Sequence, residues 1–229
     1  LFHRYTQNNL DIVVGNRQLF LPSILLVVGK EKPDPAKDPE KVPALFQLMV
    51  LYHLERENID GLTMQEIAEK LKTSYATVNR CVRWMKEKGF ITLNGGKEKQ
   101  ISFNFKGKNL WTVALPFMET PIEFVVYTPE LAISENSLIS EQNALAEYSL
   151  LNGGPYRIAI SKEEYKKLKQ KNIYWDPFGE AGIEVWKYDP TLLSDTGVVD
   201  KLSLYLLLKD YEDERVQIEL ENMLNEIKW

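Results

Sequence analysis

The sequence predicts an α+β fold in two parts, a unit of short helices closed by a hairpin and then a small α/β domain. Three observations predict it. Two amphipathic helices joined by a tight turn occupy 63–87 and run into a basic hairpin at 90–105. From residue 121 onward, strand-like and helix-like runs alternate. Charge is segregated: residues 63–108 carry ten Lys and Arg against four Asp and Glu, whereas 109–229 carry eleven against twenty-one, in a chain of net charge -5.

Taken in order, residues 12–14 and 18–21 flank Gly15-Asn16 and read as a hairpin, with a third strand at 24–28, so that 1–29 is a small β-rich segment. Residues 30–43 set Pro33, Pro35, Pro39 and Pro43 among charges, a composition that disfavours helix and strand and marks a linker. Helix resumes at Ala44, where Leu45, Leu48, Met49, Tyr52 and Leu54 recur at helical spacing to about Glu57. Thr63 with Glu66 three residues later is a capping box, and Met64, Ile67, Ala68 and Leu71 mark the buried face of a helix ending near Lys72. Ser74 caps the next helix, which runs to about Glu87, and Gly89 supplies the left-handed stop. Residues 90–93 and 100–105 are strand-like, with Ile101, Phe103 and Phe105 alternating between polar neighbours. Three helices and a basic hairpin over 44–108 make a winged helix-turn-helix.

The second helix of that pair carries the candidate site. Val78, Cys81, Val82 and Met85 fall on one stripe, Ala76, Arg80 and Arg83 on the opposite one, and Asn79 flanks it. A small residue at Ala76 lets a helix approach a groove floor; Asn pairs with adenine, and Arg with guanine or a phosphate. Ser74, Tyr75 and Thr77 lie at the helix entrance, within reach of DNA backbone, and Lys97 and Lys99 sit at the hairpin tip. A polar stripe is also what the wet side of any amphipathic helix looks like; the basic hairpin beside it tips the reading to double-stranded DNA. The alternative is an interaction module that presents the same stripe to an acidic protein.

The run Ser74-Tyr75-Ala76-Thr77-Val78-Asn79-Arg80-Cys81-Val82-Arg83, followed by Lys86-Glu87-Lys88-Gly89-Phe90-Ile91, resembles bacterial winged-helix regulators of the MarR-like kind. The resemblance implies a DNA-binding transcriptional regulator, a repressor acting by occupancy of the duplex. A homodimer is a further partner it allows, because two-fold winged helices read palindromes.

Beyond the wing, 109–117 reads as a connecting helix and 122–127 as a strand. A helix at 140–151, a strand at 157–160, a helix at 161–171 capped by Ser161 and Glu164, and a strand at 182–188 follow. Two helices end the chain, 200–209 and 212–228; Val216, Leu220, Met223, Leu224 and Ile227 form a stripe that reads as internal core ahead of an oligomer seam. This domain, 109–229, is expected to serve an effector, a partner or dimerisation. A winged helix followed by a small α/β domain containing Gln142-Asn143-Ala144-Leu145-Ala146-Glu147-Tyr148 is similar to AbiE-type antitoxins of bacterial toxin–antitoxin systems. That similarity implies autorepression by the winged helix and neutralisation of a toxin by the following domain; the chain departs from it by the segment that precedes its winged helix.

Other chemistries find little footing. His3 and His53 are the two histidines, and neither has another His at helical spacing, so no zinc-hydrolase arrangement forms. Asn94-Gly95-Gly96-Lys97 and Asn152-Gly153-Gly154-Pro155 lack the phosphate-cradling pattern. Glu184 and Lys187, near Asp176, are three apart on a strand and leave opposite faces, which disfavours a nuclease centre. No serine sits in a nucleophile elbow. No enzyme activity, metal or cofactor is therefore expected. The longest apolar run, 24–28, is far short of the roughly 20 residues of a membrane span, no leader segment is evident, and one cysteine, Cys81, on the buried stripe fits a reducing cytoplasm.

Overall fold

The computed structural model describes residues 12–14, 18–21, 26–29, 42–96, 98–129, 136–171, 176 and 179–229. The chain divides into two compact units, 1–41 and 42–229. In the first, β1 (Ile12–Val14), β2 (Gln18–Leu21) and β3 (Leu26–Gly29) form an antiparallel meander, with Val13 opposite Leu19 and Phe20 opposite Val27. The third strand expected at 24–28 is described from Leu26, and Ile24 and Leu25 lie outside the described residues. The Gly15-Asn16 turn and the Pro-rich stretch 30–41 lie outside the described residues.

The second unit opens with α1 (Ala44–Glu55), whose residues Leu45, Phe46, Gln47, Leu48, Met49, Val50 and Leu51 are all buried. A helix apolar on every side belongs inside a core, and α1 lies there: one cluster joins its side chains to those of the next two helices and also to Trp186, Leu202 and Leu204. After it come α2 (Met64–Lys70), α3 (Tyr75–Glu87) and the two-stranded sheet of β4 (Ile91–Asn94) and β5 (Gln100–Phe103). The register sets Ile91 against Phe103 and Leu93 against Ile101, and an isolated bridge ties Thr63 to Gln100. Asp60 Oδ1 accepts from the Phe103 N–H at 2.7 Å, which fixes the strand to the loop before α2.

A helix α4 (Gly107–Ala114) and a 3-10 turn lead to a four-stranded mixed sheet. Its strands are β6 (Ile122–Thr128), β7 (Leu138–Ile139), β8 (Arg157–Ile160) and β9 (Ala181–Trp186), in the order β6-β9-β8-β7. β8 and β9 run parallel, joined through α6 (Lys162–Gln170), and the two outer pairings are antiparallel. The α6 side packs a small core of Ile158, Ile160, Leu168, Ile183 and Val185. α5 (Glu141–Tyr148), α7 (Lys201–Leu208) and α8 (Glu214–Asn225) complete the fold. This is the α+β arrangement the sequence predicts, with β7 as an addition too short to leave a periodic signal. The α8 stripe joins the chain's own core: Val216, Leu220 and Met223 are buried, with Leu224 and Ile227 packed against the same cluster.

Local chemistry explains the boundaries. The expected helix from 140 stops at Tyr148, where the Ser149 hydroxyl donates back to the Leu145 carbonyl at 2.8 Å. At α6 the Ser161 hydroxyl accepts from the Glu164 N–H at 3.1 Å, and the Glu164 carboxylate also takes Lys167 at 3.0 Å and Asn136 at 3.3 Å. Asp200 and Asp213 cap α7 and α8. Among the described residues no helix is long and apolar enough to cross a membrane.

Candidate nucleic-acid interface

The first helix of the pair is fixed at its start by the capping box that Thr63 and Glu66 predict. The Glu66 N–H donates to Thr63 Oγ1 at 3.3 Å, and the Thr63 N–H donates to Glu66 Oε2 at 2.7 Å. Two orphan donors are satisfied at once, and α2 has a defined first residue. The turn to α3 passes through Lys72 at φ 49, the left-handed region that a non-glycine residue enters at a cost of order 1 to 3 kcal/mol. The turn delivers Ser74, whose hydroxyl accepts from the Thr77 N–H at 3.2 Å and shares a bond of 2.8 Å with the Thr77 hydroxyl. α3 ends at Glu87, and Gly89, just beyond its C-cap Lys88, takes the left-handed conformation at φ 78.

The two faces of α3 separate as the periodicity predicts. Val78, Cys81, Val82 and Met85 are buried, and so is Trp84, which packs edge-on against Phe46 with centroids 4.9 Å apart. Burial pushes the Cys81 thiol well above its ordinary range, so it stays protonated and serves as a small apolar core residue. Ser74, Tyr75, Ala76, Asn79, Arg80 and Arg83 are exposed, Tyr75 at 47%, and Thr77 is half-buried. Among the described residues, no ion pair engages Arg80 or Arg83. Their guanidinium groups are therefore available to an incoming anion without breaking an internal contact.

The wing follows α3 directly in the chain. β4 and β5 pair to Asn94 opposite Gln100, which leaves a five-residue loop, longer than the two-residue turn that Asn-Gly alone signals. Gly95 has φ 91, and a Cβ there would lie 2.6 Å from the Glu98 carbonyl oxygen, so the loop needs glycine at this point. Lys99 is exposed; Lys97, the other tip candidate, lies outside the described residues.

Residues 48–92 match the family model described as winged helix-turn-helix DNA-binding. The segment is a winged helix-turn-helix. No curated protein and no solved structure matches the chain. The matched stretch ends within β4, so the second strand of this winged helix is supplied by the pairing of β5 with β4.

One cation of the winged helix that the sequence reading did not single out is Lys72. It is exposed in the turn, two residues before the α3 cap. Its signal was present as a basic residue abutting Thr73-Ser74. His53 has a packing role in the winged helix: Nδ1 accepts from the Ile59 N–H at 3.2 Å, the ring lies 4.3 Å from that of Phe103, and burial lowers its pKa. Among the described residues no cluster of His, Cys, Asp and Glu could hold a metal ion. Glu184 and Lys187 part company: Glu184 is buried under Ser140 and Trp186, while Lys187 Nζ bonds Glu119 at 2.6 Å.

Proposed function

We propose that the protein is a DNA-binding transcriptional regulator, a repressor that acts by occupying duplex DNA with its winged helix. The observation that carries this reading is the exposed ridge of α3, where Asn79, Arg80 and Arg83 face outward opposite a buried stripe and, among the described residues, no ion pair engages either arginine. In the proposed complex Asn79, Arg80 and Arg83 contact base edges or backbone, and Ala76 admits the helix to the groove floor. Ser74, Tyr75 and Thr77 anchor on phosphate at the helix entrance, and Lys97 and Lys99 hold the adjacent backbone. Lys72 joins the phosphate contacts on this reading. The local charge of 63–108, ten cations against four anions, supports a phosphate partner, and the acidic remainder restricts the contact to the winged helix.

The MarR-like and AbiE-type resemblances supply the finer reading: a bacterial, cytoplasmic, non-enzymatic repressor, acting as a homodimer on a palindrome or carrying a toxin-binding C-terminal domain. A second reading, an interaction protein, is favoured by the charge of 109–229, eleven cations against twenty-one anions, which suits a basic protein partner. The test is binding of the purified protein to its own upstream DNA against a random duplex of equal length. Preference for the upstream DNA, with a protected footprint, is expected. Failure to bind either duplex at low salt would leave the interaction reading in its place.

A further inference from the structure

The enclosed side-chain oxygens left without a partner among the described residues include Glu55 Oε2 and Asp200 Oδ2. These two carboxyls meet at the first turn of α7, where they bond the N–H groups of two successive residues. Glu55 is the last residue of α1, and Asp200 is the N-cap of α7. Their other oxygens are already in use: Glu55 Oε1 accepts from the Leu202 N–H at 3.3 Å, and Asp200 Oδ1 from the Ser203 N–H at 2.7 Å. Each carboxyl thus takes one backbone donor from the first turn of α7, and the two remaining oxygens are enclosed with no donor among the described residues.

Two carboxylates in that position would be two acceptors with no donor and two enclosed negative charges, an arrangement that cannot persist. One proton removes both faults. We propose that Glu55 and Asp200 share a single proton, the Glu55 O–H donating to Asp200 Oδ2, and that this proton is a latch fastening α1 of the winged helix to α7 of the C-terminal half. On deprotonation the proton passes to solvent, the second charge appears in the enclosed site, and the junction loosens.

The surroundings favour one charge and oppose two. Burial is the largest influence raising the Glu55 pKa, followed by the charge of Asp200. Lys201 on α7 is the cation that acts in the other direction, and it is shared, with Nζ 3.5 Å from Glu226 on α8 and 5.3 Å from the centre of the Tyr148 ring on α5. Arg56, the neighbour of Glu55, is turned to Asp195 at 3.2 Å. Tyr148, pushed up to about 12, and Tyr188, raised further by complete burial, both stay neutral and bring no charge. The N-terminus of α7 stabilises the single negative charge that remains.

The latch needs no DNA and is tested without it, by thermal melting of the full chain and of Glu55→Gln, Asp200→Asn and the double variant from mildly acid to alkaline pH. In Glu55→Gln the amide oxygen still accepts from Leu202 and the amide N–H donates permanently to Asp200. Its Tm is expected to match wild type at the acid end and to exceed it increasingly as pH rises; Asp200→Asn is expected to behave alike. The double variant sets two amide donors against each other and is expected to melt below either single one. A Glu55→Gln Tm that tracks wild type at every pH, or a double variant as stable as the singles, would overturn the proposal. Should the variants not fold, the carboxyl 13C shift of Glu55 in the wild-type protein decides: a protonated-acid value at neutral pH supports the latch, and a carboxylate value refutes it.

Discussion

The Gln47 side-chain amide donates to the Tyr188 hydroxyl at 3.1 Å, a buried bond between α1 and the segment after β9, residues 141 apart in the chain. The same glutamine accepts from the Glu119 N–H at 3.1 Å, and the Tyr188 hydroxyl also bonds the Ser203 hydroxyl at 3.1 Å. A polar network of this kind inside an apolar cluster fixes α1 to two faces at once. The winged helix is accordingly not a bead on a string: Phe46, Met49 and Leu51 share one continuous core with Trp186, Leu202 and Leu220.

Tyr188→Phe is expected to cost about 1 to 3 kcal/mol, because the Gln47 amide and Ser203 hydroxyl lose a partner in a site closed to water. Since the core is shared, the loss should appear as one cooperative transition. Urea unfolding followed by far-UV circular dichroism and by tryptophan fluorescence checks this, with coincident curves expected. Two separated transitions would show that the winged helix unfolds on its own.

Thr63→Ala removes the capping box that starts α2 and is expected to cost about 0.5 to 2 kcal/mol. Thr63→Ser keeps an oxygen for the Glu66 N–H and should recover most of it. The denaturation midpoints of the two variants measure the difference.

Glu184 gives the stability a pH dependence of known sign. It lies wholly buried on β9, accepting from the Ser140 hydroxyl at 2.7 Å and the Trp186 indole at 3.0 Å, and burial, with the charge of Glu141 behind it, raises its pKa to about 8. In the unfolded chain the group ionises in the ordinary carboxylate range. Between those limits the folded state holds a proton that the unfolded state has released, so stability falls as pH rises and levels off above about 8. Glu184→Gln should flatten that fall. Melting temperatures across the window decide it; an unchanged slope would mean that Glu184 is ionised in the folded protein.

Much of the fold is legible because local signals and burial agree. Thr63 and Glu66, Ser74 and Gly89 bound their helices where capping chemistry places them, and the α3 stripe separates Val78 and Val82 from Arg80 and Arg83 at the residues the periodicity gives. Less legible was α1. Its sequence is apolar all round, so a single stripe of Leu45, Leu48 and Met49 understates a helix whose Phe46, Val50 and Leu51 face cores as well. Glu184 and Glu55 gave no signal, because what distinguishes a buried carboxyl from a solvated one is the set of long-range neighbours, Ser140 for one and Asp200 for the other. Lys72 is legible as the basic residue near which α2 ends, but its left-handed conformation is a property of the turn geometry and not of its residue type.

The most direct measurement of the central claim is a titration of the upstream duplex at two salt concentrations with wild type, Arg80→Ala and Lys99→Ala. If the α3 ridge reads DNA, Arg80→Ala weakens binding to the preferred duplex by about 1 to 3 kcal/mol and relaxes sequence preference. Lys99→Ala instead weakens all duplexes similarly and reduces the salt slope by about one. Both variants binding as wild type does, at both salt concentrations, would contradict the account.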